Sequence, residues 1–459
     1  MNIELLIILI FGVIASATYK VAVIEYLREV YNGFEANIKH NLDNYLKIID
    51  NIVNETQKLD LIVFPEGTLV FQPSYTKEEL LKHAARLPID NATIPCLETV
   101  ETTSSYVQKL SCSSKTHNVY ISVNIIEKTD SGELFNANIV FDRQGRLVSK
   151  YRKMYPLAGE KFISSGNTVE YFQTDFGVTF GVFICFDIFF KNAYTDALDE
   201  NVDAFIFPSY WYSELPYLSS TQMQKMWASL HGKTLLASGG SNGNTGTSGS
   251  GIYSGSYSYA SYLSGTTNTK VLIANLTKSS ESKQNKKHKT QSNHSRDLNN
   301  FNFITKRPEM IKYPLNQNDA HKDIEETLCH NEFCCNFKVD VNDTSGLVFT
   351  IYNGLQPFIG FGKLGIQLCA VLQCEDTNCF KMPSDEYFQK NFKVLEVKVV
   401  NATVGADYYP NIALKTLFFM PTENYSWTGT NLHLKLLQET AGIYTFGFYG
   451  RNYKIDEIQ

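Results

Sequence analysis

Three residues of the sequence carry side chains that could together perform nucleophilic chemistry. Glu66 follows the apolar segment LIVFP, Lys153 lies in SKYRKMYP, and Cys185 lies in FGVFICFD. A cysteine thiol needs a base to remove its proton, because its ordinary pKa is about 8.5. A carboxylate could be that base, and an ammonium group could stabilise a thiolate or an oxyanion. Taken singly, each residue also fits a purely structural role, and Cys185 fits a buried core cysteine.

The elements that must position these residues follow an alternating pattern. KVAVIEY, LDLIVFPE, VTFGVFIC, VDAFIFPS and KTLLASG are predicted as strands, and residues 34–57 place apolar side chains on one helical face. VYISVNIIEK and NANIVFDRQGRLVSKYRK are predicted as two strands joined by a turn at TDSGE. Repeated alternation of strand and helix predicts a layered α/β fold. In open α/β sheets, functional groups gather outside the carboxyl ends of the strands, where Glu66 and Cys185 are expected.

The cysteines divide into two groups and a remainder. Cys96 and Cys112 lie near each other and could pair, and six cysteines cluster between Cys329 and Cys379 in a connectivity that sequence leaves open. Zinc is the alternative for the cluster, with His330 beside it, but the chain contains no Cys-x2-Cys pair, which favours disulfides. Nine is an odd number, so one thiol remains, and Cys185 is the cysteine far from both groups.

The N-terminus and the sequons predict a secreted glycoprotein. The apolar segment LLIILIFGVI leads to Ala15-Ser16-Ala17, which fits a signal peptide over residues 1–17 cleaved after Ala17. A membrane anchor is the alternative, but the segment is too short to cross a bilayer of roughly 30 Å, so no stable anchor is expected. The Asn-x-Ser/Thr sequons, which are candidate glycosylation sites, are Asn54, Asn91, Asn275, Asn293, Asn342, Asn401 and Asn424.

Composition excludes some partners and suggests two domains. The net charge of −6 gives no basic face for nucleic acid and no polybasic anchor for anionic lipid. The glycine- and serine-rich stretch 239–258 is expected to be a flexible surface loop, and the basic stretch 278–296 a solvated loop or linker. Beyond it, aromatic and β-branched segments without helical patterns predict a β-rich, disulfide-stapled domain over 306–459 after an α/β domain over 18–305.

At this point the chain resembles a known family. FPEG, YRKMYPLAGE and ICFDIFF, in that order, resemble the Glu-Lys-Cys signature of the nitrilase (carbon–nitrogen hydrolase) superfamily. FPSYWYSELPYLSSTQMQKMWASLHGKTLLASG, GSGIYSG, IQLCAVLQC and FGFYGRNYKID are similar to its vanin (pantetheinase) and biotinidase branch. The resemblance implies a four-layer αββα nitrilase sandwich followed by a smaller β-rich base domain.

The resemblance also implies roles for residues. Glu66 would be the proton acceptor, Cys185 the nucleophile and Lys153 the proton donor or oxyanion stabiliser. The backbone N–H of Phe186 would assist Lys153, Glu160 would support it, and Trp211 would line the acyl pocket or pack in the core. No metal or cofactor is implied.

The implied reaction is hydrolysis of a linear secondary amide, with pantetheine as the first substrate. Hydrolysis of biocytin and a catalytically silent binding glycoprotein are the alternatives. Gly67 and Thr68 depart from the Glu-Asp-Gly text that is usual after the base glutamate, which leaves the substrate open.

Overall fold

The structure is a computed structural model of the 459-residue chain. It describes residues 18–70, 74–87, 93–98, 103–157, 160–200, 202–278, 293–304, 311–315, 323–358, 361–375, 379 and 381–458. The predicted signal peptide 1–17, the sequon residue Asn91 and residues 279–292 of the basic stretch lie outside the described residues. Within the described ranges, no helix has both the length and the apolar character needed to cross a membrane.

The N-terminal region consists of two large sheets and their covering helices. The helices are α1 (Phe34–Glu55), α2 (Lys77–His83), α3 (Ser105–His117), α4 (Thr195–Asp199) and α5 (Ser220–His231). The strands are β1 (Thr18–Glu25), β2 (Leu61–Val63), β3 (Tyr120–Lys128), β4 (Leu134–Phe141), β5 (Leu147–Arg152), β6 (Glu170–Gln173), β7 (Thr179–Val182), β8 (Ala204–Ser209), β9 (Thr234–Gly239), β10 (Ser250–Ser254), β11 (Tyr257–Ser264), β12 (Lys270–Thr277) and β13 (Asn293–Asp297).

These strands form two mixed sheets that stack face to face. The first has the order β12-β1-β2-β3-β4-β5 and the second the order β13-β11-β10-β9-β8-β7-β6. β1, β2 and β3 run parallel to one another, as do β7, β8 and β9. Their carboxyl ends, which carry Glu66 and Cys185, therefore meet at one edge of the stack.

Both faces of the first sheet are buried because successive side chains of its strands are apolar and point to opposite faces. In β1, Val21 and Val23 join the core between the two sheets, whereas Ala22 and Ile24 join the core beneath α1 and α3. Successive side chains of a strand point to opposite faces, so an all-apolar strand requires cover on both sides. With α5 packed on the outer face of the second sheet, the result is the four-layer αββα sandwich that the resemblance implied.

The C-terminal region is a β-sandwich of two antiparallel sheets, apart from short 3-10 turns. Its strands are β14 (Ile311–Pro314), β15 (Ile324–His330), β16 (Phe333–Val341), β17 (Leu347–Phe358), β18 (Gly362–Gln373), β19 (Asn391–Val399), β20 (Asp407–Leu414), β21 (Tyr425–Thr428), β22 (His433–Leu436), β23 (Thr440–Ala441), β24 (Ile443–Arg451) and β25 (Glu457–Ile458). The sheets have the orders β14-β17-β18-β24-β20 and β15-β16-β19-β22-β21, and one apolar core lies between them.

The disulfides confirm the cysteine predictions. The bridges are Cys96–Cys112, Cys329–Cys334, Cys335–Cys369 and Cys374–Cys379. Cys185 is the free thiol, and it is buried. The clustered cysteines are thus paired with one another rather than arranged around zinc. His330 instead accepts a hydrogen bond at Nδ1 from the Asn353 N–H, at 3.0 Å.

Two local predictions were wrong. The segment NANIVFDRQGRLVSKYRK is two strands, β4 and β5, because Asp142 Oδ1 accepts the N–H groups of Gln144 (2.9 Å) and Arg146 (2.8 Å) and closes a turn. Gly145 takes a φ of +79° in that turn, a conformation that favours glycine.

The stretch 239–258 is not a flexible surface loop. It contributes β10 and part of β11, and much of it is buried. Its serines and Gly249 bind the carboxylate of Glu25, which is wholly buried at the end of β1. Small residues are needed there because the backbone approaches its neighbours closely, and a Cβ on Gly249 would lie 1.8 Å from Ser220 Oγ.

Candidate active site

Cys185 lies on a sharp turn just beyond β7. The strand ends at Val182, and Cys185 begins a single turn of 3-10 helix, Cys185–Phe189, with a φ of +48°. The prediction that Cys185 is the last residue of the strand is therefore wrong by one tight turn. A non-glycine residue at positive φ costs on the order of 1 kcal/mol or more and persists only where its surroundings enforce it.

Asp187 is the residue that enforces this turn. Its carboxylate accepts the Ile184 N–H at 3.0 Å, the Tyr155 N–H at 2.8 Å and the Tyr151 hydroxyl at 2.8 Å. Burial raises the pKa of Asp187 to about 7, although the Lys153 ammonium acts in the opposite direction. This residue was not among the predicted site residues. Its signal was a lone carboxylate inside the apolar run ICFDIFF.

Glu66 follows β2 and is held by three donors. Its Oε1 accepts the Lys153 ammonium at 2.6 Å and the Asn136 amide at 2.8 Å, and its Oε2 accepts the Tyr210 N–H at 3.0 Å. Only 5% of the residue is exposed. The carboxylate is thus fixed in one orientation by a donor within β4 and by donors from the residues that follow β5 and β8.

Lys153 follows β5 and makes two ion pairs. Its Nζ lies 2.6 Å from Glu66 Oε1 and 2.6 Å from Glu160 Oε2. Glu160 also accepts the Leu157 N–H at 2.8 Å and the Asn136 amide at 2.5 Å. Burial alone would lower the pKa of Lys153, but the charges of Glu160 and Glu66 outweigh it and hold that pKa well above its usual value. Lys153 is therefore an ammonium ion at neutral pH.

Two asparagines that were not among the predicted site residues connect the cluster. Asn136 donates to both glutamates, and its Oδ1 accepts the Asn124 amide at 2.6 Å. Asn124 Oδ1 accepts the Gly67 N–H at 2.9 Å, beside Glu66. Both asparagines are buried in strands β3 and β4. A polar residue in an otherwise apolar strand was the signal that could have found them, because buried amides require partners.

The thiol of Cys185 is protonated at rest. Burial raises its pKa well above the usual value, and the adjacent Glu66 carboxylate, which accepts a hydrogen bond from the thiol, raises it further. The Lys153 ammonium and a hydrogen bond from the Tyr210 backbone N–H act in the opposite direction. The arrangement therefore places a thiol, a carboxylate acceptor for its proton and a fixed cation in one buried cluster, which can support attack on a carbonyl group.

Phe186 and Trp211 have different surroundings. The Phe186 ring is buried against Phe361 of the C-terminal sandwich, with ring centroids 4.9 Å apart. The Trp211 ring packs 5.6 Å from Phe189, and its Nε1 donates to the Leu218 carbonyl at 2.9 Å. These contacts place Trp211 in the core packing beside the site. They also bring the second domain against Phe186, the residue that follows Cys185.

A cleft of about 1090 Å³, lined by residues of both domains, lies beside the cluster. Glu160 is the member of the cluster that lines it. Tyr155 contributes from the loop after Lys153, Asn192 from the segment after Cys185, and Phe361 from the C-terminal sandwich. The cleft is large enough for a small-molecule ligand.

The remaining features to place are candidate metal ligands and the sequon asparagines. Among the described residues, no group of three or more histidine, cysteine, aspartate or glutamate side chains could hold a metal ion. Asn424 is half-buried. The exposed sequon asparagines are Asn54, Asn275, Asn293, Asn342 and Asn401.

Comparisons with known proteins cover most of the chain. The family described as "Carbon-nitrogen hydrolase" matches residues 20–237, and the family described as "Vanin C-terminal domain" matches residues 302–456. Vanin-like protein 1 of Drosophila melanogaster is 28% identical over 90% of this chain and 82% of its own. Pantetheinase of Mus musculus is 27% identical over 87% of this chain and 81% of its own.

A solved structure is also similar to part of the chain. It is that of Saccharomyces cerevisiae Nit3, a member of branch 10 of the nitrilase superfamily, with 18% identity, a TM-score of 0.45, and coverage of 60% of this chain and 97% of that one. With one family match on each domain and full-length relatives across both, the chain belongs to the vanin branch of the carbon–nitrogen hydrolases and is an amidohydrolase.

Proposed function

We propose that the protein hydrolyses the secondary amide of pantetheine to pantothenate and cysteamine, with Cys185 as nucleophile and Glu66 as general base. The observation that carries this proposal is the buried cluster in which Glu66 accepts hydrogen bonds from both the Cys185 thiol and Lys153. The relatives named pantetheinase, which align with both domains, support the choice of substrate.

In the first half of the reaction, Glu66 takes the thiol proton as Cys185 Sγ attacks the amide carbonyl carbon. The charge that develops on the carbonyl oxygen is stabilised by the Lys153 ammonium and the Phe186 N–H. The tetrahedral intermediate then collapses, the carbon–nitrogen bond breaks, and Glu66 returns the proton to the departing amine. Cysteamine leaves, and pantothenate remains bound to Cys185 as a thioester.

In the second half, water enters and Glu66 removes its proton as it attacks the thioester carbonyl. The same two donors stabilise the second oxyanion, and the carbon–sulfur bond breaks. Pantothenate leaves, and Glu66 gives its proton to the Cys185 thiolate. The cycle requires one carboxylate that accepts and returns a proton twice, which suits a base held by fixed donors rather than one free to rotate.

The test compares the wild-type protein with the Cys185→Ala variant. Both are incubated with pantetheine and, separately, with biocytin, and the released acid is measured by mass spectrometry. Wild type is expected to release pantothenate and Cys185→Ala to release none. Ser113→Ala, a similar truncation in the buried part of α3, is the control and should behave as wild type.

Three results would contradict the proposal. Pantothenate release by Cys185→Ala at the wild-type rate would remove the assigned nucleophile. Release of biotin from biocytin without hydrolysis of pantetheine would replace the substrate. A wild-type protein inactive on both would favour the silent binding glycoprotein.

We also infer that the protein is secreted and glycosylated. Four disulfides support folding in an oxidising compartment, and five sequon asparagines are exposed. Expression in cultured animal cells should place the protein in the medium, with a mobility that increases after endoglycosidase treatment. Retention in the cytosol, or a mobility unchanged by the enzyme, would contradict this inference.

A further inference from the structure

Arg28 lies next to the two backbone segments that hold the proposed base. It follows β1, the parallel neighbour of the strand that leads to Glu66. Its Nη1 donates to the Gly67 carbonyl at 3.0 Å. The Gly67 N–H donates in turn to Asn124 Oδ1 at 2.9 Å. The residue after Glu66 is therefore held on both its carbonyl and its amide side.

The same guanidinium group holds Tyr210. Arg28 Cζ lies 4.0 Å from the centroid of the Tyr210 ring, which is cation–π distance. Gly240 packs against this ring so closely that a Cβ at that position would lie 2.3 Å from Cδ2. The Tyr210 ring is therefore confined between a cation and a stretch of backbone without a side chain.

The main chain of Tyr210 lies between the base and the nucleophile. Its N–H donates to Glu66 Oε2 at 3.0 Å, and it also forms a hydrogen bond with the Cys185 sulfur that favours the thiolate. A shift of Tyr210 would therefore change both the orientation of the carboxylate and the stability of the thiolate. Arg28 contacts the Tyr210 segment at the Tyr210 ring and the Gly67 segment at the Gly67 carbonyl oxygen.

We propose that Arg28 is a positioning residue, which aligns Glu66 with the Cys185 thiol by holding Tyr210 and the Gly67 carbonyl together. This inference rests on the proposed roles of Glu66 and Cys185. It does not depend on pantetheine as the substrate. A planar guanidinium can stack on a ring and donate a hydrogen bond in its own plane at the same time, whereas a lysine ammonium is a point charge on a flexible chain. Arg28→Lys therefore keeps the charge and removes the paired contact.

The primary measurement is the rate at which iodoacetamide alkylates Cys185, as a function of pH. All nine cysteines lie in the described residues and eight are in disulfides, so the reaction reports on a single thiol. Attack requires proton transfer from that thiol, and no amide substrate is needed. The values of kcat and KM for pantetheine are measured in parallel.

Arg28→Lys is expected to slow alkylation at pH 7 by about tenfold or more and to move its pH profile to higher pH. The same variant should lower kcat by about tenfold to a hundredfold with KM changed less than about threefold, because misplacement of a catalytic group acts on the chemical step. Gly240→Ala, which displaces the Tyr210 ring without touching Arg28, is expected to have the same effects.

Arg143→Lys is the matched control. Arg143 also lies over aromatic rings, 5.6 Å from that of Tyr120, and also donates to a backbone carbonyl, that of Asn118 at 2.5 Å. Arg143 follows the C-terminal end of β4, whereas Asn136 lies near the start of that strand. At about 3.3 Å per strand residue, the two residues are roughly 20 Å apart. Its replacement should leave alkylation and kcat unchanged.

Three outcomes would overturn the inference. Alkylation and kcat within twofold of wild type in Arg28→Lys would show that the contacts do not position the cluster. A rise in KM with unchanged kcat and alkylation would make Arg28 a substrate contact instead. Equal loss in Arg143→Lys would mean that general destabilisation is responsible. If wild type fails to cleave pantetheine while Arg28→Lys and Gly240→Ala slow alkylation, the positioning role stands and only the substrate is wrong.

Discussion

Glu160→Gln tests how the charge of Lys153 is maintained. Lys153 is 2% exposed and lies 2.6 Å from a carboxylate oxygen of Glu66 and of Glu160. Glutamine keeps the size of the side chain and one acceptor oxygen for the Leu157 N–H. It removes one of the two negative charges that offset the burial of the ammonium ion.

The magnitude follows from the contact distance. Two unit charges about 3 Å apart at an effective dielectric constant of about 20 interact by roughly 5 kcal/mol. The Glu160 side chain is 21% exposed, so solvent screening reduces this value, and we take about 3 kcal/mol. Because the charge of Glu160 is one of the two that hold the pKa of Lys153 above its usual value, its loss lowers that pKa.

The Glu160→Gln substitution should shift the alkaline loss of activity to lower pH. In the proposed mechanism Lys153 acts as an ammonium ion, so activity should be lost as pH rises through its pKa. A lower pKa therefore brings the alkaline loss of activity to lower pH in the variant. At neutral pH, Lys153 would also be drawn toward Glu66 alone and away from the carbonyl oxygen, and we expect kcat to fall about a hundredfold.

The assay measures kcat and KM for pantetheine between pH 6 and pH 10. Glu396→Gln is the control, because Glu396 also pairs with two basic side chains, His433 and Lys435, but lies in the C-terminal sandwich. A kcat within threefold of wild type and an unmoved alkaline limb would refute the reasoning. Circular dichroism at the assay temperature verifies that both variants are folded.

Three further predictions follow from buried groups. Burial raises the pKa of Glu25 from 4.5 to about 7, so its contribution to stability is complete below pH 4.5 and is lost as pH rises through 7. In denaturant titrations, the fall in the free energy of unfolding over this range should be about 3 kcal/mol smaller in Glu25→Gln than in wild type. Asn136→Leu leaves two carboxylates without their shared donor and should lower the free energy of unfolding by about 3 kcal/mol, measured by urea denaturation; a loss below about 1 kcal/mol would contradict this. Phe361→Ala opens a cavity beside Phe186 and should destabilise the protein by about 3 kcal/mol and lower kcat about tenfold. Phe392→Ala, within the second sandwich, should destabilise similarly without changing kcat, and equal kcat values for the two variants would contradict the role of the domain contact.

The most accurate sequence predictions concerned periodic and countable features. The apolar face over residues 34–57 is helix α1 over Phe34–Glu55. Nine cysteines form four disulfides and leave Cys185 free. The alternation of strand and helix patterns predicted the layered α/β fold, and the absence of helical patterns predicted the β-rich C-terminal region. A helix is indicated by the spacing of neighbouring residues, and a free thiol by an odd number of cysteines. Neither prediction requires knowledge of tertiary contacts.

Errors arose where distant residues determine the local structure. The stretch 239–258 has the composition of an exposed loop, yet it is partly buried because the carboxylate of Glu25, more than two hundred positions away, needs hydrogen-bond donors. The positive φ of Cys185 depends on donors to Asp187 from Tyr151 and Tyr155. In both cases local composition does not reveal which distant residue is the partner.

By itself, the sequence determined which side chains were available for catalysis and on which strand ends they lie. Only the tertiary structure decided how they meet: Asn136 joins Glu66 to Glu160, and the second domain packs Phe361 on Phe186. The physical reason is that hydrogen bonds and ion pairs act over about 3 Å, so they depend on the relative placement of whole strands. That placement is a property of the packed sheets, not of any segment alone.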